Sequence, residues 1–160
     1  MNSERALDLF QIIRLGVAID EIDDSVLSAH INETNEFKQS LLHEAIAFKQ
    51  DDYALFLIKK GINVNQQDYN GATALHFAVF YMYPEVIELL LQYGADPDIV
   101  DMHGNGALWI AVFNARGEYG IVEQLKAAGA NPNTKNKYGK SPLDFARQIK
   151  DDALIEILTS

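Results

Sequence analysis

The chain of 160 residues carries 23 acidic and 13 basic side chains, a formal net charge of −10 at neutral pH, and no cysteine. This charge repels nucleic-acid backbones and anionic membrane surfaces, and the lack of cysteine excludes disulfides and thiolate chemistry. No apolar run approaches the roughly 20 residues of a membrane-spanning helix. We therefore expect a cytoplasmic protein with neither a nucleic-acid nor a membrane partner.

Helical patterns follow one another in pairs along the chain, which predicts an all-α fold. The predicted pairs lie at 3–15 and 18–29, 41–48 and 52–60, 74–81 and 85–93, 107–114 and 119–128, and 142–149 and 152–158.

Four short segments recur, and each opens the first helix of a pair: 40–45, 73–78, 106–111 and 141–146. Their starts lie 33, 33 and 35 residues apart, and a glycine recurs in phase at 61, 94 and 129. Ser40, Thr73 and Ser141 are residue types that cap a helix start, and glycine can take the positive φ of a helix end. Two landmarks that share one period indicate an internal repeat.

The repeated segment resembles the Thr-Pro-Leu-His-x-Ala signature of the ankyrin repeat, and the copy at 73–78 is the nearest to it. The resemblance implies a solenoid of stacked helix pairs joined by hairpin-like loops, in one domain. Its repeats would be 36–68, 69–101, 102–136 and a C-terminal capping repeat at 137–160, preceded by a degenerate N-terminal cap at 1–35.

The resemblance also implies a protein that binds another protein and catalyses no reaction. His43 and His76 occupy the signature histidine position, where the ring ties the loops of adjacent repeats together. No phosphate-binding loop, nucleophile elbow or zinc-protease motif is present, so we expect no catalytic residue, no cofactor and no metal site.

In ankyrin repeats the hairpin loops and the exposed side of each first helix form the concave binding surface. The corresponding candidates for partner binding here are Phe37, Phe48, Tyr69, Asn70, Tyr81, Met102, His103, Trp109, Phe113, Asn114 and Tyr138. Exposed aromatic side chains suit a protein interface.

Three aromatic positions leave alternatives open. Trp109 and Gly106 replace the histidine and threonine of the signature, so the indole either fills the vacated space or faces a partner. Phe80 and Phe113 lie at the border of the core, and either pack between repeats or line the surface.

The distribution of charged residues along the chain indicates what kind of protein would bind. Residues 69–101 contain five acids and no base, so we expect an acidic and aromatic concave face whose middle repeats bind a basic or apolar protein. This short, single-domain chain resembles stand-alone bacterial ankyrin proteins, some of which are encoded beside secreted toxins and neutralise them. An immunity protein that blocks a basic nuclease toxin is therefore one alternative, an adaptor or regulator is another, and the free chain is expected to be a monomer.

Overall fold

A computed structural model describes residues 8–18 and 22–160, which form ten helices. They are α1 (Leu9–Leu15), α2 (Asp24–His30), α3 (Leu41–Ala47), α4 (Asp51–Lys59), α5 (Ala74–Phe80), α6 (Pro84–Gln92), α7 (Ala107–Asn114), α8 (Gly120–Ala127), α9 (Pro142–Ile149) and α10 (Asp152–Thr159). The predicted all-α solenoid of helix pairs is confirmed, and from α3 onwards the predicted helix bounds agree to within one residue.

The first pair differs from its prediction. Residues 3–7 of the first predicted helix lie outside the described residues. The second helix was predicted from residue 18, which is wrong, because α2 begins at Asp24. Asp23 stands in extended backbone and its carboxylate accepts hydrogen bonds from the amides of Ser25 and Val26, so it caps the helix and stops it from extending backwards.

The helices pack in two layers. The inner layer contains α1, α3, α5, α7 and α9, each packed on the next, and the outer layer contains α4, α6, α8 and α10. Ala45, Ala78, Ala111 and Ala146 are all buried at the same position of successive inner helices. A side chain as small as alanine lets adjacent helices approach closely, and the apolar surface of one pair is covered only when the next pair stacks on it.

Each loop between repeats is built around the side chain of one Asn or Asp residue. Asn35, Asp68, Asp101 and Asn136 each accept two hydrogen bonds, from the amides two and four residues further on. Such side-chain bonds to the following backbone build a turn locally. These four turns are called hairpins 1 to 4 below.

Successive hairpins are joined through the backbone. The amides of Tyr69, Met102 and Lys137 donate to the carbonyls of Phe37, Asn70 and His103, at 3.0, 2.6 and 2.9 Å. Gly104 has a φ of 78°, and a Cβ there would lie 3.0 Å from the amide nitrogen of Lys137. Glycine is therefore required at this position by both the backbone conformation and the neighbouring hairpin.

The N-terminal pair is attached by polar bonds as well as by packing. Arg14 on α1 forms an ion pair with the buried carboxylate of Glu44, and its Nε lies 2.7 Å from Glu44 Oε1. The Tyr53 hydroxyl donates to the Val17 carbonyl. At the position of Glu44, the later repeats carry Phe77, Ile110 and Phe145, so only this interface within the described chain has an ion pair there.

Within the described residues, no helix has the length and apolar character needed to span a membrane.

Candidate protein-binding face

The hairpins present exposed side chains in a row. Phe37, Tyr69 and Tyr138 expose 56%, 64% and 75% of their surface. The Lys38 ammonium lies 5.1 Å from the centre of the Tyr69 ring, a cation–π contact between hairpins 1 and 2. Because backbone bonds join the hairpins, these side chains form one continuous edge of the molecule.

Hairpin 3 contributes polar and flexible groups to this edge. Met102 is half exposed and His103 is exposed, and Asn70 of hairpin 2 is exposed beside them. The structure thus brings Phe37, Tyr69, Asn70, Met102, His103 and Tyr138 together on neighbouring hairpins.

The inner helices carry a second set of exposed rings. Phe80 and Phe113 occupy the same position of α5 and α7 and expose 62% and 60% of their surface. Phe80 therefore lies on the surface, whereas Phe113 is exposed on one side and contacts Phe145 of the next repeat on the other. Tyr81 lies against Phe80 at 5.2 Å between ring centres and stacks on Tyr83 at 6.0 Å.

Trp109 combines the two alternatives for its position. Its ring is half buried and lies 5.7 Å from the ring centre of Phe145, which also lies 5.5 Å from that of Phe113. The indole therefore packs on the next repeat and keeps part of its surface open. Trp109, Phe145 and Phe113 form a row along the junction of α7 and α9, called the aromatic row below.

The remaining candidates lie at the ends of the inner helices. Phe48 ends α3 and is about half exposed, with the Arg14 guanidinium 5.2 Å from its ring centre. Asn114 is the last residue of α7 and is half buried.

His43 and His76 are structural. In each, Nδ1 accepts a bond from the backbone amide of the capping residue, Ser40 or Thr73, at 3.1 Å. The ring proton is therefore on Nε2, which donates to the carbonyl of Ala72 or Asn105 in the next hairpin. Burial lowers the pKa of both imidazoles, since the charged form is poorly solvated there.

The fourth repeat reproduces half of this arrangement. Asp144 replaces the histidine, and its carboxylate accepts from the Ser141 amide at 3.1 Å, which lowers the pKa of Asp144. Trp109 cannot act in this way because the indole nitrogen only donates. Among the described residues, no group of three or more His, Asp or Glu side chains is arranged to hold a metal ion.

The acids and the aromatic rings lie on different layers. Of the five acids in 69–101, Glu85 and Glu88 lie on outer helix α6, Asp96 and Asp98 follow that helix, and only Asp101 belongs to a hairpin. This differs from the expectation of a face that is both acidic and aromatic. The reason is that α5 contains no charged residue, whereas the exposed side of an amphipathic outer helix takes the charges.

The exposed bases concentrate around hairpin 4 and α9 instead. Lys135, Lys137 and Lys140 surround hairpin 4, while Arg147 and Lys150 lie on or just after α9. The repeat frame assigns Lys137 and Lys140 to the hairpin loop from the sequence alone. The charge summed over residues 137–160 is zero, however, and this sum conceals the cluster.

The geometry matches what a family comparison finds. A sequence profile describing three copies of the ankyrin repeat matches residues 9–101 and 54–136. The chain belongs to the ankyrin-repeat family. Ankyrin repeats are in general protein–protein interaction modules without catalytic activity, although some relatives are enzymes that also contain them.

Individual relatives are much longer than this chain. Human Rabankyrin-5 is 37% identical over 134 residues, which cover 75% of the chain and 11% of that protein. Human transient receptor potential cation channel subfamily A member 1 is 30% identical over 129 residues, 80% of the chain and 11% of the channel protein. The putative ankyrin repeat protein L92 of Acanthamoeba polyphaga mimivirus is 36% identical over 108 residues, 62% of the chain and 26% of that protein.

Proposed function

We propose that this ankyrin protein binds another protein on its inner layer, with the hairpin edge and the exposed rings of α5 and α7 as the contact surface. The observation that carries the proposal is the exposure of Phe37, Tyr69, Phe80, Phe113 and Tyr138, each by more than half of its surface. Soluble proteins rarely leave so many large rings uncovered side by side, and such patches mark interaction sites.

The chemistry of the face supports binding rather than catalysis. Both signature histidines are committed to capping and bridging bonds, and their protons are fixed by backbone partners. Aromatic side chains supply large contact area at a low cost in conformational entropy, and interface energy usually concentrates in a few of them.

A basic partner is a second candidate, and the net charge of −10 favours it. Its contacts would lie on outer helices such as α6, where Glu85 and Glu88 are exposed. A toxin neutralised by this chain as an immunity protein belongs to this class, and so does a basic client of an adaptor. We further propose that the chain is cytoplasmic and monomeric before it binds.

The test compares rings on the two layers. Tyr69→Ala and Phe113→Ala remove exposed rings from the inner layer, and Tyr93→Ala removes one that is 49% exposed at the end of outer helix α6. Proteins retained from the native cell by the wild type and by Tyr93→Ala, but lost by the inner variants, are partners on the proposed face.

Binding kinetics with the partner so identified give the magnitude. Loss of a central aromatic anchor costs about 2 kcal/mol, or roughly a thirtyfold loss of affinity. Unchanged affinity in both inner variants, with folding verified by circular dichroism, would refute the proposed face. Loss of binding only on charge reversal of Glu85 and Glu88 would support the basic-partner candidate.

A further inference from the structure

We propose that the partner presents an acidic segment, which lies along the aromatic row between α7 and α9 with its carboxylates at the basic groups near the two ends of the row. The inference rests on the proposed function and specifies the chemistry of the partner. It also places the centre of binding in the C-terminal half of the chain, away from the acidic repeat at 69–101.

The aromatic row provides the apolar part of this site. Trp109 begins the row near the start of α7, Phe145 lies in the middle at 5.7 Å from it, and Phe113 ends the row at 5.5 Å from Phe145. Phe113 is 60% exposed and the other two rings are half buried. Aliphatic or aromatic side chains of a bound segment can therefore pack on ring surface that the fold leaves open.

Positive charge lies at the hairpin end of the row. Hairpin 4 is held beside hairpin 3 by the bond from the Lys137 amide to the His103 carbonyl, and Lys140 directly precedes the capping residue of α9. Lys135, Lys137 and Lys140 are all exposed, and none of them forms an ion pair within the part of the chain that the structure describes. The nearby carboxylate of Asp144 accepts the Ser141 amide.

Two basic side chains lie at the opposite end, beside the acids Glu118, Asp151 and Asp152. Arg116 follows α7 and Lys150 follows α9, and both side chains are exposed without an ion pair to any described residue. Each of these helices has eight residues. The lysines of hairpin 4 and the basic side chains at the opposite end, Arg116 and Lys150, are therefore separated by about 12 Å along the helix axis. An extended peptide covers this distance in about four residues. The complementary segment therefore has acidic residues on both sides of about four residues that include apolar ones.

A protein segment fits these features better than another polyanion does. A nucleic acid would carry many phosphates past this site, towards a molecule with a net charge of −10. A short acidic segment meets only the basic groups and leaves the acidic outer layer in solvent. Rim charges of this kind mainly raise the association rate and select the partner.

Peptide selection tests the proposal directly. A phage library of random twelve-residue peptides is panned on the immobilised chain, and the winning peptide is synthesised with a fluorescein label. We expect enrichment of peptides with acidic residues on both sides of an apolar stretch. Enrichment of basic or uncharged peptides, or no enrichment at all, would overturn the proposal.

Matched variants then locate the peptide. Lys137→Glu/Lys140→Glu reverses two charges at hairpin 4, and Lys59→Glu/Lys126→Glu reverses two on outer helices α4 and α8. Fluorescence anisotropy should show at least a tenfold loss of affinity in the first variant and less than a twofold change in the second. Equal losses in both, or none in the first, would contradict the site.

Two further results separate this inference from the proposed function. A twelve-nucleotide single-stranded DNA that displaces the peptide at a lower concentration than unlabelled peptide would mean that the basic groups serve nucleic acid, which overturns the inference. If Phe113→Ala weakens the natural partner while Lys137→Glu/Lys140→Glu does not, the protein-binding function stands and the acidic partner is refuted.

Discussion

Repeats 69–101 and 102–136 are each joined to the following repeat, but different side chains make the contact at the signature histidine position. The first joins its hairpin, its helix start and the next hairpin through His76, which accepts from the Thr73 amide and donates to the Asn105 carbonyl. The second has Gly106 and Trp109 at these places, so it lacks this histidine bridge, and the indole packs on Phe145 of the following repeat instead. Both interfaces keep their hairpin-to-hairpin backbone bond, and they differ in having either a buried histidine bridge or packed ring surface at the signature position.

The two contacts differ in how much side-chain surface they leave exposed for a binding partner. A histidine that is buried and fully bonded offers nothing to a partner. An indole that is half buried stabilises the stack and still exposes ring surface, so the repeat that lost the signature is also the one that contributes most to the aromatic row. Asn136 supports this junction by donating to the Asn105 side chain at 2.9 Å.

The largest expected effect on stability comes from replacing by alanine the two side chains at the signature histidine position, His76 and Trp109. His76→Ala leaves the buried Thr73 amide and the Asn105 carbonyl without partners, so we expect a loss of about 3 kcal/mol in the free energy of unfolding. Trp109→Ala removes a partly buried ring and no hydrogen bond to a described residue, so its loss should be smaller, at about 2 kcal/mol. Urea denaturation measures both values, and a larger loss for Trp109→Ala would reverse the comparison.

Acid should weaken the histidine-bonded interfaces. Because the pKa values of His43 and His76 are lowered from 6.5 in the folded state, the unfolded chain binds more protons below that pH. The free energy of unfolding should therefore fall as pH drops below 6.5, by up to about 1.4 kcal/mol per histidine and pH unit, until the folded imidazoles themselves protonate. Urea denaturation at pH 7.5 and 5.5 measures this slope.

A matched variant checks the assignment of that slope. In His43→Gln/His76→Gln the difference in stability between pH 7.5 and 5.5 should be smaller than in the wild type. An unchanged difference would mean that groups other than His43 and His76 cause the fall in stability at low pH.

Restoring the capping residue should strengthen the third repeat. A Cβ on Gly106 would lie 3.4 Å from the Pro97 carbonyl oxygen, an ordinary contact, and the residue has a φ of −89°. Gly106→Ser should therefore add a few tenths of a kcal/mol and raise the melting temperature by about 1 °C. Differential scanning calorimetry is the measurement, with Thr73→Gly as the opposite change in the intact repeat. A lower melting temperature for Gly106→Ser would mean that the site cannot accept the side chain.

The smallest expected effect is local to the turn at 115–118, between the two helices of the repeat that is two residues longer than the one before it. Arg116 and Gly117 both have positive φ, and the Ala115 amide lies 3.5 Å from the Val112 carbonyl. In the corresponding turn of repeat 69–101, the Tyr83 amide donates to Ala78 at 3.0 Å. We expect amides at 115–118 to exchange at least tenfold faster than those at 81–84 in hydrogen-exchange experiments. Equal protection would show that the insertion is accommodated without loss.

Much of the fold was predictable because its determinants are local. Helix caps such as Ser141, helix-ending glycines such as Gly94 and the spacing of the repeated segment all act within a few residues of their own position. The one clear error, the start of α2, occurred where the signature is absent and a run of acids conceals the capping Asp23. The proposed binding residues remain predictions, although the structure places them on adjoining hairpins and inner helices.

The sequence by itself determined the repeat, its period, the helix pairs and the aromatic content of the hairpins. Tertiary structure decided which charges share a face with those rings, because that depends on the layer to which each helix belongs. It also decided the pairing of Arg14 with Glu44, 30 residues away, and of Trp109 with Phe145 in the next repeat. Such contacts exist only after neighbouring repeats stack, since a single repeat cannot bury its own apolar surface and has no partner across the interface until the next one covers it.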